Sequence, residues 1–280
     1  MNMTLPDGIP LENDYRALLK ADCFQVMEQF SDKFLAINKV VPRGYRNKWV
    51  EDPLHQWSRQ WEYPFVFSRV EKVIKCEPRA RILDAGSGMT FFPYYIKSQF
   101  DHVNVCCCDY DENLSRMYEQ INTGMGNAVD FSVADLRSLP YEDDSFNMVY
   151  CVSVLEHTAD YETIIEELYR ILIPGGELVI TFDVSLDGTR DISVEEGTEL
   201  LIALTKRLDN KKNFPLDLKS HISASGIFTT NIAQGINAAL LPWKYPAFLY
   251  RIKSLIKSGS FGTWPPPLTV FCLHLVKSNV

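Results

Sequence analysis

The sequence predicts an α/β protein with a mostly parallel sheet, and three observations support this. Short apolar segments typical of strands alternate with segments of helical periodicity from residue 81 to about residue 183. Pro174-Gly175-Gly176 ends one helical segment, as expected where a helix gives way to the next strand. The chain has 280 residues and an apolar fraction of 46%, so it can bury a large core without disulfides or metals.

The expected elements follow one another along the chain. Strands are expected at residues 81–85, 102–108, 130–133, 147–153, 178–182, 227–231 and 268–276. Helices are expected at residues 11–40, 65–75, 91–100, 111–121, 161–172, 194–208 and 245–256. A seventh strand that enters antiparallel beside a sixth would complete a seven-stranded sheet with helices on both faces.

The chain divides into a front extension, residues 1–79, and a main domain, residues 80–280, with an insertion at about 185–265. Prolines and aromatic residues crowd residues 42–66, so long helices are expected to break there. Arg59, Trp61 and Tyr63 in this stretch could form a lid, with Arg59 or Tyr63 holding an acceptor carboxylate. The alternative is that the aromatic residues pin the front helices onto the sheet. His221, in the polar stretch 210–225, could contribute a second wall of the pocket.

Composition excludes some functions and favours others. The net charge of −8 argues against nonspecific nucleic-acid binding. Residues 201–280 hold ten Lys and Arg against Asp209 and Asp217, a charge of +8, so residues 1–200 carry −16. The basic part could face an anionic acceptor, although a solvated surface explains it as well.

The cysteines and the chain start indicate a cytoplasmic protein. The seven cysteines include no CxxC pair, and Cys106 to Cys108 would alternate between strand faces, so no metal site is expected. Reduced, buried thiols in the cytoplasm are the simplest interpretation. The start has no pattern of a signal peptide, and no run of 18 apolar residues could span a membrane.

The candidate site begins with the glycine turn, Asp84-Ala-Gly86-Ser87-Gly88-Met-Thr90, which follows a strand and opens a helix. Glycines there allow a tight turn and a close approach of the backbone to a ligand. A carboxylate at Asp84 would repel a pyrophosphate but suits a ligand with an ammonium or a sulfonium group. The turn therefore favours a cationic ligand over a dinucleotide.

Two further carboxylates follow later strands. Asp109, 21 residues beyond Gly88, can accept hydrogen bonds from both hydroxyls of a ribose. Asp135 could accept from the amino group of an adenine, with Leu136 packed on the ring. Both features fit an adenosine-containing ligand.

From Val133 to Val149, and again in Val154-Leu-Glu156-His157 and Pro174-Gly-Gly176, the sequence resembles the class I S-adenosylmethionine (SAM)-dependent methyltransferases of the small-molecule type, specifically the methyltransferase domain 11 group. The resemblance covers residues 80–183. It implies a Rossmann-like sheet with SAM across the ends of its first, second and fourth strands, S-adenosylhomocysteine (SAH) as product, and a methyl acceptor. It places the cofactor contacts at Asp84, Gly86, Ser87, Gly88, Thr90, Asp109, Tyr110, Asp135, Leu136 and Ser153. One departure is Thr90, which stands where the family has its third glycine. Its side chain could crowd the start of the next helix, or its hydroxyl could cap that helix or contact the carboxylate of SAM.

Methyl transfer from SAM requires mainly positioning, since the donor is already activated. His157 is the candidate general base, because the family often places residues near the methyl group in this loop. Glu156 could orient His157. The alternative is that His157 only shapes the loop.

Four functions compete. The first is methyl transfer to O, N or C of a small molecule, which could be anionic. The second is methyl transfer to a macromolecule or a carrier-bound acceptor, favoured by the basic C-terminal part. The third is SAM or SAH binding without chemistry. A nicotinamide dehydrogenase is the fourth, and Asp84 argues against it.

Overall fold

A computed structural model describes residues 5–38, 54–126, 129–209, 215–243, 247–258 and 261–278. Part of the predicted aromatic segment, residues 42–53, and part of the predicted late insertion, residues 210–214, lie outside the described residues.

Eight strands form one sheet, in the order β3-β2-β1-β4-β5-β8-β7 with β6 beside β5. The strands are β1 (Arg81–Ala85), β2 (Asn104–Asp109), β3 (Asp130–Val133), β4 (Phe146–Val152), β5 (Leu172–Ser185), β6 (Ile192–Ser193), β7 (Leu208–Asp209) and β8 (Leu268–Lys277). The first five run parallel, and β8 lies antiparallel between β5 and β7. The Rossmann-like α/β fold predicted from the sequence is therefore confirmed.

Ten α-helices are present in the described residues. They are α1 (Glu12–Leu18), α2 (Asp22–Ile37), α3 (Arg59–Cys76), α4 (Phe92–Gln99), α5 (Asn113–Met125), α6 (Tyr161–Ile171), α7 (Val194–Thr205), α8 (Leu218–Ile222), α9 (Thr230–Ile236) and α10 (Ala247–Ser258). The strand expected at 227–231 is wrong. Ile227 makes only an isolated bridge to Leu11, and α9 begins three residues later.

The sheet separates two apolar cores. Cys107 lies in the core beneath α3, α4 and α5, whereas Cys106 and Cys108 lie in the core beneath α6 and α7. This alternation follows from the two-residue period of a strand, as the sequence predicted. All three thiols are free and buried.

The helix α3 begins six residues earlier than the sequence predicted, and it contains Pro64. A proline inside a helix lacks the amide that would bond to the carbonyl four residues back, which normally destabilises the helix. Here Trp61 and Phe65 are fully buried on the same helix. Burial of their apolar surface offsets the cost of the missing hydrogen bond.

The front extension packs directly on the sheet and its late helices. Gly8 forms a two-way backbone bridge with Cys272 of β8. Tyr15 of α1 stacks on Phe228, with ring centroids 3.9 Å apart. Trp57 lies against the same Phe228 ring, with centroids 5.9 Å apart, so this aromatic stretch packs together with the front helices, as one of its two interpretations expected.

Candidate functional site

The glycine turn lies between β1 and α4, and two features fix its shape. The amides of Gly86 and Ser87 both donate to the carbonyl of Cys108, at 2.9 and 3.0 Å. Gly86 and Gly88 have φ values of 75° and 53°, which L side chains rarely adopt. A Cβ on Gly86 would lie 2.7 Å from Cγ2 of Val154. The Val154 side chain of the protein therefore leaves no room for a Cβ at position 86.

Thr90 bonds to the start of α4. Its hydroxyl accepts a hydrogen bond from the amide of Phe92 at 3.3 Å, so it satisfies one amide of the first helical turn. Helix capping was one of the consequences expected from this departure from the family glycine.

Asp109 is held at the end of β2 by backbone amides. Its Oδ2 accepts from the amide of Gly88 at 2.9 Å, and its Oδ1 accepts from the amide of Asp111 at 3.0 Å. Each carboxylate oxygen keeps a second lone pair for a ligand. Tyr110, the next residue, is 82% exposed and lines the mouth of the adjoining cavity.

Asp84 is buried at the end of β1, and burial raises the pKa of its carboxyl to about 8. Asp109 raises this pKa further, whereas Arg59 lowers it. A cationic group bound next to Asp84 would favour the ionised carboxylate and bring its pKa down. The site is therefore suited to an ammonium or sulfonium ligand.

Asp135 lies at the cavity edge in an ion pair. The guanidinium of Arg137 bonds to both of its oxygens, with Nε at 3.0 and 3.1 Å, and these hydrogen bonds lower the pKa of Asp135 to about 2. The adjacent Leu136 is buried and lines the same cavity.

Ser153 has a left-handed backbone conformation, and its hydroxyl connects the site to α3 by hydrogen bonds. Its φ of 49° places its hydroxyl between two side chains of α3. Arg59 Nη1 donates to Ser153 Oγ at 2.6 Å, and Ser153 Oγ donates to Glu62 Oε1 at 2.7 Å. Thr181 also donates to Glu62 Oε1, and Arg59 pairs with Glu62 Oε2. Burial lowers the pKa of Arg59, but Glu62, Tyr63 and Asp183 together outweigh that effect and raise it.

Glu62 and Thr181 are site-supporting residues that sequence reasoning missed. Glu62 stands 91 positions from Ser153 and 119 from Thr181, so no local pattern links them. Only the spacing of Arg59 and Glu62, three residues apart on a helix, could have suggested a pair.

His157 lines the cavity at the end of a short 3-10 helix and is about half exposed, with 47% of its side chain accessible. Its Nδ1 lies 3.9 Å from Asp191 Oδ1. Partial burial lowers its pKa, against the opposing effect of Asp191. Glu156 points elsewhere, because its Oε1 accepts from the amide of Asp183 at 3.1 Å. The expectation that Glu156 orients His157 is therefore wrong.

The three remaining predicted residues occupy different places. Tyr63 is buried, stacks on Phe92 with centroids 4.7 Å apart, and lines the cavity. Trp61 is fully buried in the core and does not line the cavity, so a lid role for it is wrong. His221 also lies away from the cavity, with Nε2 2.9 Å from the carbonyl of Pro215 and its ring against Phe271. Its assignment to a pocket wall is likewise wrong.

One cavity of about 690 Å³ brings the other predicted residues together. It adjoins the carboxyl ends of β1, β2 and β4, where open α/β sheets bind their ligands. Its lining includes Asp84, Gly86, Ser87, Gly88, Thr90, Asp109, Tyr110, Asp135, Leu136, Ser153, His157, Arg59 and Tyr63. Phe34, Leu35 and Asn38 of the front extension also line it. Among the described residues, no lining residue comes from beyond Ile164, so the described part of the late insertion does not line this cavity.

The charges of the cavity fit SAM. Asp84 and Asp109 offer carboxylates to a ligand that carries ammonium, sulfonium and ribose hydroxyl groups. Arg59 provides further N–H groups for a ligand carboxylate, because its pairing with Glu62 and Ser153 goes through a single nitrogen. Fold and site together define an α/β protein with a cofactor site for an adenosine-containing cation.

The comparisons with known proteins assign the family. Residues 83–180 match the family described as "Methyltransferase domain". The methyltransferase GfsG of Streptomyces halstedii is 34% identical over 95 residues, or 33% of this chain and 34% of its own length. The demethylmenaquinone methyltransferase of Thermus thermophilus is 31% identical over 121 residues, or 43% of this chain and 53% of its own. Residues 83–180 therefore form a methyltransferase domain of the class I SAM-dependent type, whose cofactor is SAM.

The likeness to solved structures supports the fold. A provisionally assigned sarcosine dimethylglycine methyltransferase of Galdieria sulphuraria superposes with a TM-score of 0.51 and 16% identity, covering 79% of this chain and 85% of its own. The chain spans about a third of GfsG and about half of the Thermus relative. No helix of the described residues is both long and apolar enough to cross a membrane.

Proposed function

We propose that this protein transfers a methyl group from SAM to a small-molecule acceptor. The observation that carries the proposal is the cavity, which extends beyond the glycine turn and Asp109 to Phe34, Leu35 and Asn38. The turn and Asp109 would hold SAM, and α2 would close the opposite side over the acceptor. Closure by packed side chains excludes water and limits the acceptor to one that fits inside.

The relatives support an acceptor of this class. Their names describe methyl transfer to demethylmenaquinone and, in Arabidopsis thaliana, to phosphoethanolamine. The Arabidopsis protein is 28% identical over 109 residues, which is 39% of this chain and 22% of its own length. We propose a small molecule as the acceptor and assign it to neither of these two compounds.

The charge of the cavity favours a neutral or cationic acceptor over the anionic one that the sequence suggested. The charges of both lining arginines are offset, Arg59 by Glu62 and Arg137 by Asp135, and the remaining N–H groups of Arg59 are assigned above to the carboxylate of SAM. Asp160 adds a further acidic residue beside His157.

His157 would serve as the general base. SAM supplies the activated methyl group, and the acceptor's lone pair must point at that carbon in line with the departing sulfur. Partial burial lowers the pKa of His157, so at neutral pH its imidazole is uncharged and can take the acceptor's proton. Arg59 and Ser153 would fix the amino-acid end of the cofactor, and Asp109 the ribose.

A two-stage experiment tests the proposal. Calorimetry should show binding of SAH and not of NADH, and radiolabelled methyl from SAM should then pass to a member of an acceptor panel. His157→Gln should reduce turnover at least tenfold with unchanged SAH affinity. Wild-type activity should fall as the pH drops, because a protonated His157 cannot accept a proton, and the lowered pKa of His157 should place that fall below the usual range for an imidazole. His221→Gln, outside the cavity, is the matched control. SAH binding with no transfer to any acceptor would instead favour a binding protein without chemistry.

We also propose that the protein is cytoplasmic. Cys106, Cys107, Cys108, Cys151 and Cys272 are all free and buried, which suits a reducing compartment. Fractionation of cells that express the tagged chain tests this proposal, and recovery in a secreted fraction would contradict it.

A further inference from the structure

The helix α10 presents its apolar face to solvent. Five large apolar side chains of this helix have exposed fractions of 39–81%, and we call them the outer face: Phe248, Leu249, Ile252, Leu255 and Ile256. At 100° per residue their positions fall within an arc of about 120° on one side of the helix. An apolar stripe of this width normally packs against a core. Here it points away from the protein.

The opposite side of α10 is anchored to the protein, so the orientation of the outer face is fixed. Tyr250 is only 5% exposed and lies about 160° around the helix from the centre of the outer face. Its hydroxyl is 2.8 Å from Oγ1 of Thr189, and its ring lies against Trp264 with centroids 5.4 Å apart. The guanidinium of Arg190 stands over the same ring at 5.5 Å.

The helix is also basic, and this charge favours a negatively charged surface as its partner. Its sequence from 247 to 258 contains Arg251, Lys253 and Lys257 and no acidic residue. Exposed Phe261, at 67%, follows shortly after the helix. An apolar stripe with basic neighbours is the pattern of helices that lie in the interface of a bilayer with anionic lipids.

A second copy of the same face fits poorly. A twofold contact places the same patch on both subunits, so it would bring the basic positions 251 and 253, which flank the outer face on either side of the helix, close to those of the other copy. The acidic charge of the chain resides in residues 1–200, whereas residues 201–280, which include α10, carry a charge of +8.

We propose that the outer face of α10 docks on a membrane surface that contains anionic lipids. The apolar side chains enter the headgroup boundary, and the basic residues bind the lipid phosphates. This inference goes beyond methyl transfer and does not depend on it.

Vesicle co-sedimentation of the full chain tests the proposal. The protein should pellet with vesicles of phosphatidylcholine and phosphatidylglycerol, weakly with phosphatidylcholine alone, and less at high salt, because salt screens the basic residues. Ile256→Asp, at the most exposed apolar position, should weaken binding at least tenfold, and Arg251→Glu should do so only for the anionic vesicles. Ile202→Asp on α7, where Ile202 is also exposed at 44%, is the matched control and should bind as wild type.

Unchanged SAH affinity and unchanged melting temperature show that each variant is folded. Binding by Ile256→Asp equal to that of wild type would overturn the proposal, as would failure of the wild type to bind anionic vesicles. Sedimentation-velocity analysis tests the alternative that a second copy of the protein covers the outer face. A dimer that Ile256→Asp abolishes, without vesicle binding, would assign the face to a second copy and also overturn the proposal.

Discussion

Gly86→Ala should destabilise the protein mainly through a clash with Val154. The added Cβ would lie 2.7 and 3.0 Å from the two γ-carbons of that valine, closer than real contacts allow. The positive φ of 75° adds a second cost, because an L residue in the left-handed region is unfavourable by about 1–2 kcal/mol. Overpacking of this kind adds about 1–3 kcal/mol, so a total loss of about 2–5 kcal/mol is expected.

Two further variants separate these contributions. Gly188 has a φ of 66° and no atom within 4 Å of an added Cβ, so Gly188→Ala should carry the backbone cost alone. That cost is about 1 kcal/mol once the reduced freedom of the unfolded chain is taken into account. Val154→Ala removes both γ-carbons, so Gly86→Ala in that background should also cost about 1 kcal/mol.

Urea unfolding of the four single and double variants measures these free energies. The double-mutant cycle between positions 86 and 154 should give a coupling of about 1–3 kcal/mol. Equal losses for Gly86→Ala and Gly188→Ala would refute the reasoning, and so would a cycle with no coupling. In either case the glycine would be required by its backbone conformation and not by the Val154 side chain.

Three other predictions concern the charged groups of the site. SAM binding at pH 7 should release up to about 0.9 proton, because Asp84, with a pKa of about 8, is mostly protonated before a cation binds. The affinity for SAM should therefore rise with pH up to about pH 8. Calorimetry in buffers of different protonation enthalpy should detect this release and find none in Asp84→Asn; the same release in both would assign it to another group. Arg137→Ala should return the pKa of Asp135 from about 2 toward 4 in an NMR titration, and an unchanged pKa would exclude the ion pair as its cause. Glu62→Gln should lower the free energy of unfolding by about 3–5 kcal/mol, since it leaves the buried charge of Arg59 without its partner. A loss under 1 kcal/mol would show that Ser153 and solvent are enough to stabilise the charge of Arg59.

The N-terminal extension shows how far local patterns can be trusted in this chain. The periodicity of residues 11–40 predicted helical structure, and the structure has α1 and α2 there, separated by a break at Leu19–Ala21. The prolines predicted breaks throughout 42–66, yet α3 begins at Arg59 and passes through Pro64. Burial of Trp61 outweighs the local preference, and such burial depends on residues distant in sequence.

The meeting of Asp84, Asp109 and Ser153 in one cavity was predictable because each of them lies at a strand end. A parallel sheet brings the carboxyl ends of its central strands together, so Asp84, Asp109 and Ser153 meet wherever those strands are adjacent. Their types and spacing are local properties. The acceptor side was less predictable, since Phe34 and Asn38 reach the cavity only through the packing of α2.

The sequence by itself determined the fold class, the glycine turn and the acidic residues that suit SAM, because periodicity and strand-end positions are properties of short segments. The tertiary structure decided the rest. It showed that Val154 occupies the space beside Gly86, that Glu62 pairs with Arg59 beneath Ser153, and that α10 turns its apolar face outward. Each of these depends on side chains that are distant in the chain and adjacent in space, and periodicity carries no information about such neighbours.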